Sequence, residues 1–518
     1  MRLNTFYAAL LFALSVLTMI LLRPLLPIDE TRYVAAAWEI FNGSSPFVPH
    51  LNGALYTHKP PLLFWLIDLV WLANGVSTLA ARLVAPGFAV ASVIMTGMLA
   101  RRLWHDDPDR AGRAALILAV SPVFLLFGSS TMFDSMLTAA TMLAMLAMWS
   151  AIRDHSRRPW LLLGAAMALG VYGKGPVILV HIMPVALLMP LWADPAGRPA
   201  LARWYKGLGL SVLVALLLVA LWLVPALILG GEEYRTEVLW RQSAGRVVSS
   251  FAHQRPAWFF LAQLPLLIWP FGWTWGGLKS FSPRTLLGSA QSRMVALWFL
   301  SALLAFSMIS GKQSHYLLPE LPALALLLSA AAPRRQAKPL DLWMSVPAIA
   351  CALVILAALF GQIPELESMG FSQPVLASLL GLAVIAIGIA GFLRLRSGLI
   401  GLAALPLAMM LGLHFAAQPL LFARYDMTPI AAAISPYRDK GIAVADGSYH
   451  AQFNYTARLT NPVARLRDAD QIAAWLAQHP GGVLLSQKDD IPAGMRTAGV
   501  LPFRNDNYTM FVSSKATQ

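Results

Sequence analysis

Residues 207–229 read GLGLSVLVALLLVALWLVPALIL and contain no charged side chain. An apolar run of about 20 residues can cross the hydrocarbon core of a membrane as one helix. Twelve more apolar stretches occur within the first 416 of the 518 residues. We therefore predict a polytopic α-helical membrane protein with about thirteen transmembrane helices. The predicted spans are 6–22, 79–100, 111–128, 132–151, 160–172, 176–193, 207–229, 257–277, 294–310, 317–332, 342–361, 373–393 and 398–416.

The composition agrees with this class, because 58% of the residues are hydrophobic and only 12% are charged. A soluble protein with apolar runs of this length would expose them to water. The formal net charge is +14, and much of the excess lies in short loops. We interpret it as a topology signal and not as a nucleic-acid-binding surface. The single cysteine, Cys351, lies inside an apolar run, so no intrachain disulfide can form.

The loops between the spans are of two kinds, which alternate along the chain. One kind is dominated by Arg and Lys, as at Arg101-Arg102, Arg157-Arg158 and Arg334-Arg335. The positive-inside rule places these loops and the N-terminus in the cytoplasm. The other kind mixes acids, bases, histidines and aromatic residues, and it therefore faces outward. We expect the chemistry of the protein at the outer face, together with the C-terminus.

The long outer loop, about 24–78, contains two helical patterns. Residues 60–75, PPLLFWLIDLVWLANG, are apolar but short. Counting them as a span would place every later basic loop outside, so we predict a re-entrant or interfacial helix there. Earlier in the loop, apolar residues recur at helical spacing from Thr31 to Phe41. This pattern predicts an amphipathic helix, either on the membrane surface or as an ordinary loop helix.

We divide the chain into a transmembrane domain, 1–416, and a small soluble α/β domain, 417–518, which the topology places on the outer side. Helical patterns at 429–438 and 469–478 alternate with strand-like stretches at 442–445, 482–486, around 501 and at 508–512. No GxGxxG or GxxxxGK[ST] motif occurs anywhere in the chain. We therefore predict no nucleotide cofactor.

An acidic pair, Asp29-Glu30, directly follows the first span. Ionisable side chains near hydrocarbon are costly and are often functional, although solvation of an ordinary interfacial loop is the alternative. A carboxylate at this position could act as a general base. Arg32, about one helical turn on, could keep Asp29 or Glu30 ionised.

Three further charges mark the outer ends of apolar segments. Lys59 precedes Pro60-Pro61, which favour a helix start, and the positive end of a helix suits a lipid phosphate. The alternative is a lysine that snorkels between lipid headgroups. Asp134 and Lys174 begin and end their spans, and they either pair with each other or shape a site.

Two outer loops add candidate phosphate ligands. The loop 230–256 ends with Arg255 at membrane level, where a guanidinium can bind a phosphate. Lys312, His315 and Tyr316 give the mouth of a later span many hydrogen-bond donors. That cluster is also explained as an aromatic-belt anchor.

Two interpretations stay open for His58 and His253. They either form hydrogen bonds within their loops or share a divalent metal ion with Asp29 or Glu30. No tight metal-ligand spacing such as HExxH occurs in the chain.

These motifs resemble those of bacterial lipid-to-lipid glycosyltransferases of the GT-C type, in the dolichyl-phosphate-mannose protein mannosyltransferase superfamily. The most similar group is the aminoarabinose–lipid A transferases, glycosyltransferase family 83. The resemblance covers essentially the whole membrane part, whereas the C-terminal domain is similar only in position and size. The matching residues are Asp29-Glu30-Thr31-Arg32-Tyr33, Pro49-His50-Leu51-Asn52-Gly53, Lys59-Pro60-Pro61, Asp134, Gly173-Lys174-Gly175, Lys312-Gln313 and Tyr316-Leu317-Leu318-Pro319.

The resemblance implies a multi-pass enzyme of the bacterial inner membrane that works at the periplasmic face. It would move a sugar from a polyprenyl-phosphate carrier, with inversion, to a glycolipid acceptor such as lipid A. Asp29 would be the catalytic carboxylate. Charge pairing by Arg32, Asp134 and Lys174 would support it, and the donor phosphate would be bound by Lys59, Arg255, Lys312 and Tyr316. In the aminoarabinose enzymes a Glu commonly precedes the Lys-Pro pair, whereas His58 stands there in this chain.

Two other classes of function compete with this one. A transporter or flippase of a lipid-linked sugar would place ionisable residues near the bilayer midplane between repeats. Here most spans have uncharged centres and no convincing internal repeat is visible. A membrane scaffold with an outer interaction domain is the third possibility for 420–518.

Overall fold

All thirteen predicted apolar stretches are helical, wholly or in part, in the computed structural model of the protein, which describes residues 4–240, 254–331, 339–395, 398–445, 449–487 and 494–513. In the first half the membrane-type helices are Thr5–Leu21, Thr78–Leu103, Asp109–Ala119, Pro122–Gly128, Asp134–Arg153, Arg158–Lys174, Ile178–Leu187, Met189–Trp192 and Leu201–Leu229. In the second half they are Phe259–Ile268, Ala290–Met308, Leu321–Leu328, Val346–Leu359, Val375–Leu395 and Gly398–Tyr425.

Eight helical segments among the described residues are long and apolar enough to cross a membrane, or nine if the pair Asp109–Ala119 and Pro122–Gly128, bent by 66°, is one span. The chain is thus a multi-pass membrane protein. Three of the predicted spans correspond to shorter apolar helices, Thr5–Leu21, Phe259–Ile268 and Ser314–Leu328. The count of thirteen therefore stays a prediction.

The chain reverses at Gly175, between two of the predicted spans. Trp204 contacts both Trp160, near the start of Arg158–Lys174, and Trp192, after Ile178–Leu187, with ring centroids 5.0 and 6.0 Å apart. A continuous helix of 30 residues would separate its ends by about 45 Å. The two helices are therefore antiparallel legs, and the positive φ of Gly175, 77°, permits the turn.

The predicted span 257–277 is not one continuous helix. The helix ends at Ile268, and a 3₁₀ turn, Phe271–Trp273, and a short helix, Trp275–Lys279, follow it. Pro270 explains the break, because its ring fixes the backbone and it lacks the N–H that a continuing helix would use.

The outer loop contains both predicted helices and a small hairpin. The first helix runs from Asp29 to Phe41, so it begins two residues before the predicted Thr31; we call it the Asp29 helix. Strands β1 (His50–Leu51) and β2 (Ala54–Leu55) pair antiparallel. The apolar helix Leu62–Asn74 has 13 residues, about 20 Å, which is too short to cross a bilayer. These elements pack around buried Phe64, Trp71 and Phe133, the last of which directly precedes helix Asp134–Arg153.

A five-stranded sheet forms the C-terminal domain. Its strands are β3 (Ile442–Val444), β4 (Ala464–Arg465), β5 (Val483–Ser486), β6 (Met495–Phe503) and β7 (Asp506–Ser513), in the spatial order β4-β3-β5-β7-β6. The strands β4, β3 and β5 are parallel, and β7 and β6 are antiparallel to their neighbours. Helices Thr428–Ile434 and Ala469–Gln478 accompany the sheet, in agreement with the predicted α/β alternation. The prediction missed β4, which is only two residues long.

Candidate active site

Asp29 is the first residue of its helix, and its carboxylate is half exposed. The positive end of a helix stabilises a carboxylate there. Arg32, one turn on, forms an ion pair with Oδ1, and the Tyr33 hydroxyl donates a hydrogen bond to the same oxygen at 3.2 Å. Burial and the nearby Asp29 charge raise the pKa of Tyr33 well above its ordinary value, so the phenol keeps its proton and remains a donor.

Glu30 differs in role from Asp29, because it is buried and both of its carboxylate oxygens accept hydrogen bonds. Arg23 donates to both of its carboxylate oxygens, at 2.5 and 3.1 Å. The backbone N–H groups of Leu26 and Thr131 donate to them as well, at 3.0 and 2.7 Å. Burial by itself would raise the pKa of Glu30, but the Arg23 charge and these hydrogen bonds outweigh it and hold the pKa below its usual value. Glu30 thus anchors the Asp29 helix to Arg23, just after the first span.

Asp134 and Lys174 form the ion pair that we predicted as one of two options. Lys174 Nζ lies 2.5 Å from Asp134 Oδ1, and both side chains are largely buried. Asp134 begins one span and Lys174 ends the next, so each charge sits at the helix end whose dipole stabilises it. Lys174 also lies over the ring of Tyr316, 5.0 Å from its centroid.

Lys59 joins this pair from the outer loop. Its Nζ lies 5.7 Å from the ring centroid of Phe133, the residue before Asp134. Lys59 is among the charges that interact electrostatically with Asp134, together with His315. His315 in turn interacts with Asp134, Lys174, Lys59 and Asp29. Asp29 and Lys59 thus both lie close enough to His315 to interact with it electrostatically.

Two predicted phosphate ligands contact other groups. Lys312 is buried, and its ammonium donates to the backbone carbonyls of Ile309 and Arg255. This geometry argues against a phosphate-binding role, because the charge holds two chain segments together. The Arg255 side chain is exposed and lies over the Phe259 ring, 5.2 Å from its centroid, so its role as a phosphate ligand stays a prediction.

The divalent metal also stays a prediction. His58 is exposed and stacks on Tyr56, with ring centroids 5.6 Å apart, whereas His253 lies outside the described residues. Within the described ranges no three His, Cys, Asp or Glu side chains converge in a way that could hold a metal ion.

The sequence analysis did not select two residues of this region. Tyr33 could have been found, because it lies four residues after Asp29 and positions i and i+4 are neighbours on a helix. His315 stood within a noted cluster, but only the fold brings it to Asp134 and Lys174. Burial lowers the pKa of His315 to about 4, so it is neutral at neutral pH.

Comparison with known proteins finds similarity in both sequence and fold. Residues 58–224, which include Lys59, Asp134 and Lys174, match the family "Dolichyl-phosphate-mannose-protein mannosyltransferase". The undecaprenyl phosphate-alpha-4-amino-4-deoxy-L-arabinose arabinosyl transferase of Pseudomonas paraeruginosa is 32% identical over 320 residues, 59% of this chain and 55% of that protein. The crystal structure of ArnT from Cupriavidus metallidurans bound to undecaprenyl phosphate superimposes with a TM-score of 0.73 at 18% identity, over 99% of both chains.

The chain has the GT-C fold, and part of its sequence is similar to the aminoarabinose transferases. The GT-C likeness extends to the apo form of the oligosaccharyltransferase of Archaeoglobus fulgidus, with a TM-score of 0.52 at 13% identity over 94% of this chain. The sequence alignment spans only about half the length of the curated relatives. The GT-C fold is thus common to the whole chain, whereas close sequence similarity is confined to part of it.

Proposed function

We propose that this chain is an integral membrane glycosyltransferase that moves a sugar from a polyprenyl-phosphate carrier to an envelope glycolipid of the lipid A or lipopolysaccharide type. We place the reaction at the periplasmic face of a bacterial inner membrane, with a cytoplasmic N-terminus. The observation that carries the proposal is the half-exposed Asp29 carboxylate beside the group formed by Lys59, Asp134, Lys174 and His315. The donor named for the curated relatives is an undecaprenyl-phosphate-linked amino sugar, which this cationic group suits.

We propose a single displacement with inversion. Oδ1 of Asp29 is occupied by Arg32 and Tyr33, and no hydrogen bond reaches Oδ2 from the described residues. Oδ2 would accept the proton of the acceptor hydroxyl as a general base. The acceptor oxygen forms its bond to the anomeric carbon on the face opposite the phosphate. The bond from that carbon to the phosphate oxygen breaks, and polyprenyl phosphate leaves with the electron pair.

The leaving phosphate gains negative charge, so preorganised cations next to it stabilise the transition state. We assign this role to Lys59, with Arg255 and Tyr316 as further candidate ligands. Lys312 is left out because backbone carbonyls hold its ammonium. Asp134 keeps Lys174 in place, and Lys174 adds its positive field to the same region. Arg32 orients the Asp29 carboxylate through their ion pair.

The test uses purified wild-type protein in detergent with undecaprenyl-phosphate aminoarabinose and lipid A, with the products followed by mass spectrometry. We expect lipid A that carries the sugar and free undecaprenyl phosphate in equal amounts, without any ion gradient. The transporter or flippase alternative instead predicts gradient-dependent movement of intact donor across proteoliposomes, with no cleavage. Absence of cleavage with this donor and with other polyprenyl-phosphate sugars would refute the proposal.

A further inference from the structure

The C-terminal domain contacts the far end of the helix that begins with Asp29. Residues 452–463, which we call the docking segment, lie against Trp38 in the last turn of that helix. The Trp38 indole N–H donates to the Leu459 carbonyl at 2.7 Å. The guanidinium of Arg458 lies over the Trp38 ring, 5.0 Å from its centroid. The docking segment thus contacts the indole edge through a hydrogen bond and the indole face through the Arg458 guanidinium.

Tyr455 joins the docking segment to the outer apolar helix Leu62–Asn74. Its ring stacks on Trp71 at 5.3 Å with an interplanar angle of 3°, and both side chains are fully buried. The Tyr455 hydroxyl is 3.1 Å from the Thr78 hydroxyl, and the Arg458 guanidinium lies 4.2 Å from the centroid of the Tyr455 ring. A buried aromatic pair of this kind stabilises a contact beyond the effect of its buried area.

Asn52, at the tip of the β1–β2 hairpin, makes a third connection. Its side-chain amide donates to the Val463 carbonyl at 2.8 Å, and its side-chain oxygen accepts from the Val463 N–H at 2.8 Å and from Asn454 Nδ2 at 3.1 Å. The backbone N–H groups of Asn52 and Gly53 donate to Glu39, the residue after Trp38 in the Asp29 helix. The hairpin therefore bridges the docking segment and this helix.

The Asp29 helix is held at both ends. Glu30 fixes its first turn to Arg23 and to the Thr131 backbone, and the docking segment fixes its last turn. Trp38 lies nine positions after Asp29, about 14 Å along the axis. If the Trp38 end is released, the first turn alone sets the direction of the helix, and a displacement of about 1 Å at a reacting group can lower a rate by about a hundredfold.

We propose that the C-terminal domain is a fixed part of the catalytic unit, and that Asn52, Tyr455 and Arg458 are positioning residues that orient Asp29 through the Trp38 end of its helix. Domains joined by one chain segment commonly move relative to each other. Here the C-terminal domain is held in one orientation by the buried Tyr455–Trp71 stack, the cation–π contacts of Arg458 and the hydrogen bonds of Asn52. This inference rests on the proposed function, because it assigns these residues to the orientation of Asp29 in that reaction.

The first experiment compares Tyr455→Ala with Tyr455→Phe. The alanine variant removes the ring that stacks on Trp71, and we expect kcat to fall at least about tenfold. Binding of undecaprenyl phosphate should change less than about threefold, because the Asp134–Lys174 pair lies in the membrane helices. Tyr455→Phe keeps the ring and should restore kcat to within about twofold of wild type. A wild-type kcat in the alanine variant, or an equal fall in both variants, would overturn the proposal.

The second experiment attaches the C-terminal domain covalently to the β1–β2 hairpin, whereas Tyr455→Ala weakens that attachment. A Cβ built on Gly53 would lie 3.4 Å from Pro462 Cβ, close to the separation of about 3.5–4.5 Å in disulfides. Gly53→Cys with Pro462→Cys, in a Cys351→Ala background, should form a disulfide between the hairpin and the docking segment. The reduced form of the same protein is the control for backbone strain at Gly53, whose φ is positive.

We expect the oxidised form to keep at least about half of the kcat of the reduced form. An inactive oxidised form beside an active reduced form would show that the domain must move during turnover, and the inference would fail while the proposed function stands. If wild-type protein itself transfers no sugar from any polyprenyl-phosphate donor, it is the proposed function that fails. The experiments thus distinguish failure of the inference from failure of the proposed function.

Discussion

Asp134 Oδ1 and Lys174 Nζ lie 2.5 Å apart and join the first residue of helix Asp134–Arg153 to the last residue of helix Arg158–Lys174. Both side chains are largely buried, so each charge depends on the other for its stabilisation. Tyr316 also contacts the pair, because the Lys174 ammonium lies over its ring. The ion pair therefore connects two helices with Tyr316, a candidate phosphate ligand.

We predict that loss of one partner destabilises the protein more than loss of both. Lys174→Ala leaves the Asp134 carboxylate buried without its cation, at a cost of about 3–5 kcal/mol. The double variant Asp134→Ala/Lys174→Ala should be more stable than the sum of the two single changes by about 1–3 kcal/mol. Thermal unfolding in detergent measures the four proteins of this cycle. Additive changes would show that the two charges do not interact.

Asp29→Asn should lower the transfer rate about 10²–10⁴-fold, because an amide cannot accept the proton of the acceptor hydroxyl. The Asp29 carboxylate is half exposed, so we expect stability within about 0.5 kcal/mol of wild type. The rate is measured by mass spectrometry, with melting temperature as the control for folding. Glu30→Gln provides the contrast, because it removes the buried charge paired with Arg23 and should lower stability first. Wild-type turnover in Asp29→Asn would remove Asp29 from the mechanism.

Lys59→Ala and Lys312→Ala form a matched pair of lysine truncations at the outer face. Loss of a charge-assisted contact to phosphate costs about 1.5–3 kcal/mol, so Lys59→Ala should weaken undecaprenyl phosphate binding at least about tenfold. Lys312→Ala should instead lower the melting temperature, because its ammonium holds the Ile309 and Arg255 carbonyls together. Binding titrations and melting curves on both variants separate the roles. Equal donor affinity in wild type and Lys59→Ala would contradict the assignment of Lys59.

Hydropathy predicts the membrane helices because each apolar run is a local property of the chain. It also places Asp29, Asp134 and Lys174 at one face, because loop charge alternates with topology. Sequence could not tell which of Asp29 and Glu30 is exposed, since one partner of Glu30 is the Thr131 backbone, 101 residues away. Nor could it find the contact between Trp38 and Leu459, 421 residues apart. Such pairings depend on how the helices pack, and local patterns carry no information about them.

Stability should fall as the pH drops from 6.5 towards 4. Burial lowers the pKa of His315 to about 4 from 6.5. Between these values the unfolded chain binds a proton at His315 that the folded chain does not, so stability rises with pH across this window. The facing groups are Asp134, Lys174, Lys59 and Asp29. Glu30, whose pKa is lowered from 4.5, adds a loss of the same sign only below about pH 4.5.

The measurement is the melting temperature of the detergent-solubilised protein from pH 4.5 to 7.5. His315→Gln keeps a polar side chain of similar length but cannot titrate, so its melting temperature should change less than that of wild type between pH 4.5 and 6.5. Above pH 6.5 the two curves should run parallel. Parallel curves over the whole range would show that His315 does not contribute to the pH dependence.

His181 and Glu320 form a buried pair that the sequence analysis did not identify. His181 Nδ1 lies 2.5 Å from Glu320 Oε1, and neither side chain is exposed. The Phe306 ring contacts both His181 and Tyr316, with ring centroids 5.1 and 5.9 Å away, so the pair supports the 3₁₀ segment Ser314–Glu320 beside Lys174. Polar groups buried at this depth are costly unless they are paired.

Glu320→Ala should therefore lower stability by about 3–5 kcal/mol, because it leaves His181 buried without its partner. Glu320→Gln retains a hydrogen-bonding group of the same shape, and its cost should be about 1–2 kcal/mol. We also expect Glu320→Ala to weaken undecaprenyl phosphate binding, because Tyr316 loses part of its support. Melting curves and binding titrations of both variants test this. If alanine and glutamine cost the same, the contact with His181 does not stabilise the protein, and Tyr316 is held by its other neighbours.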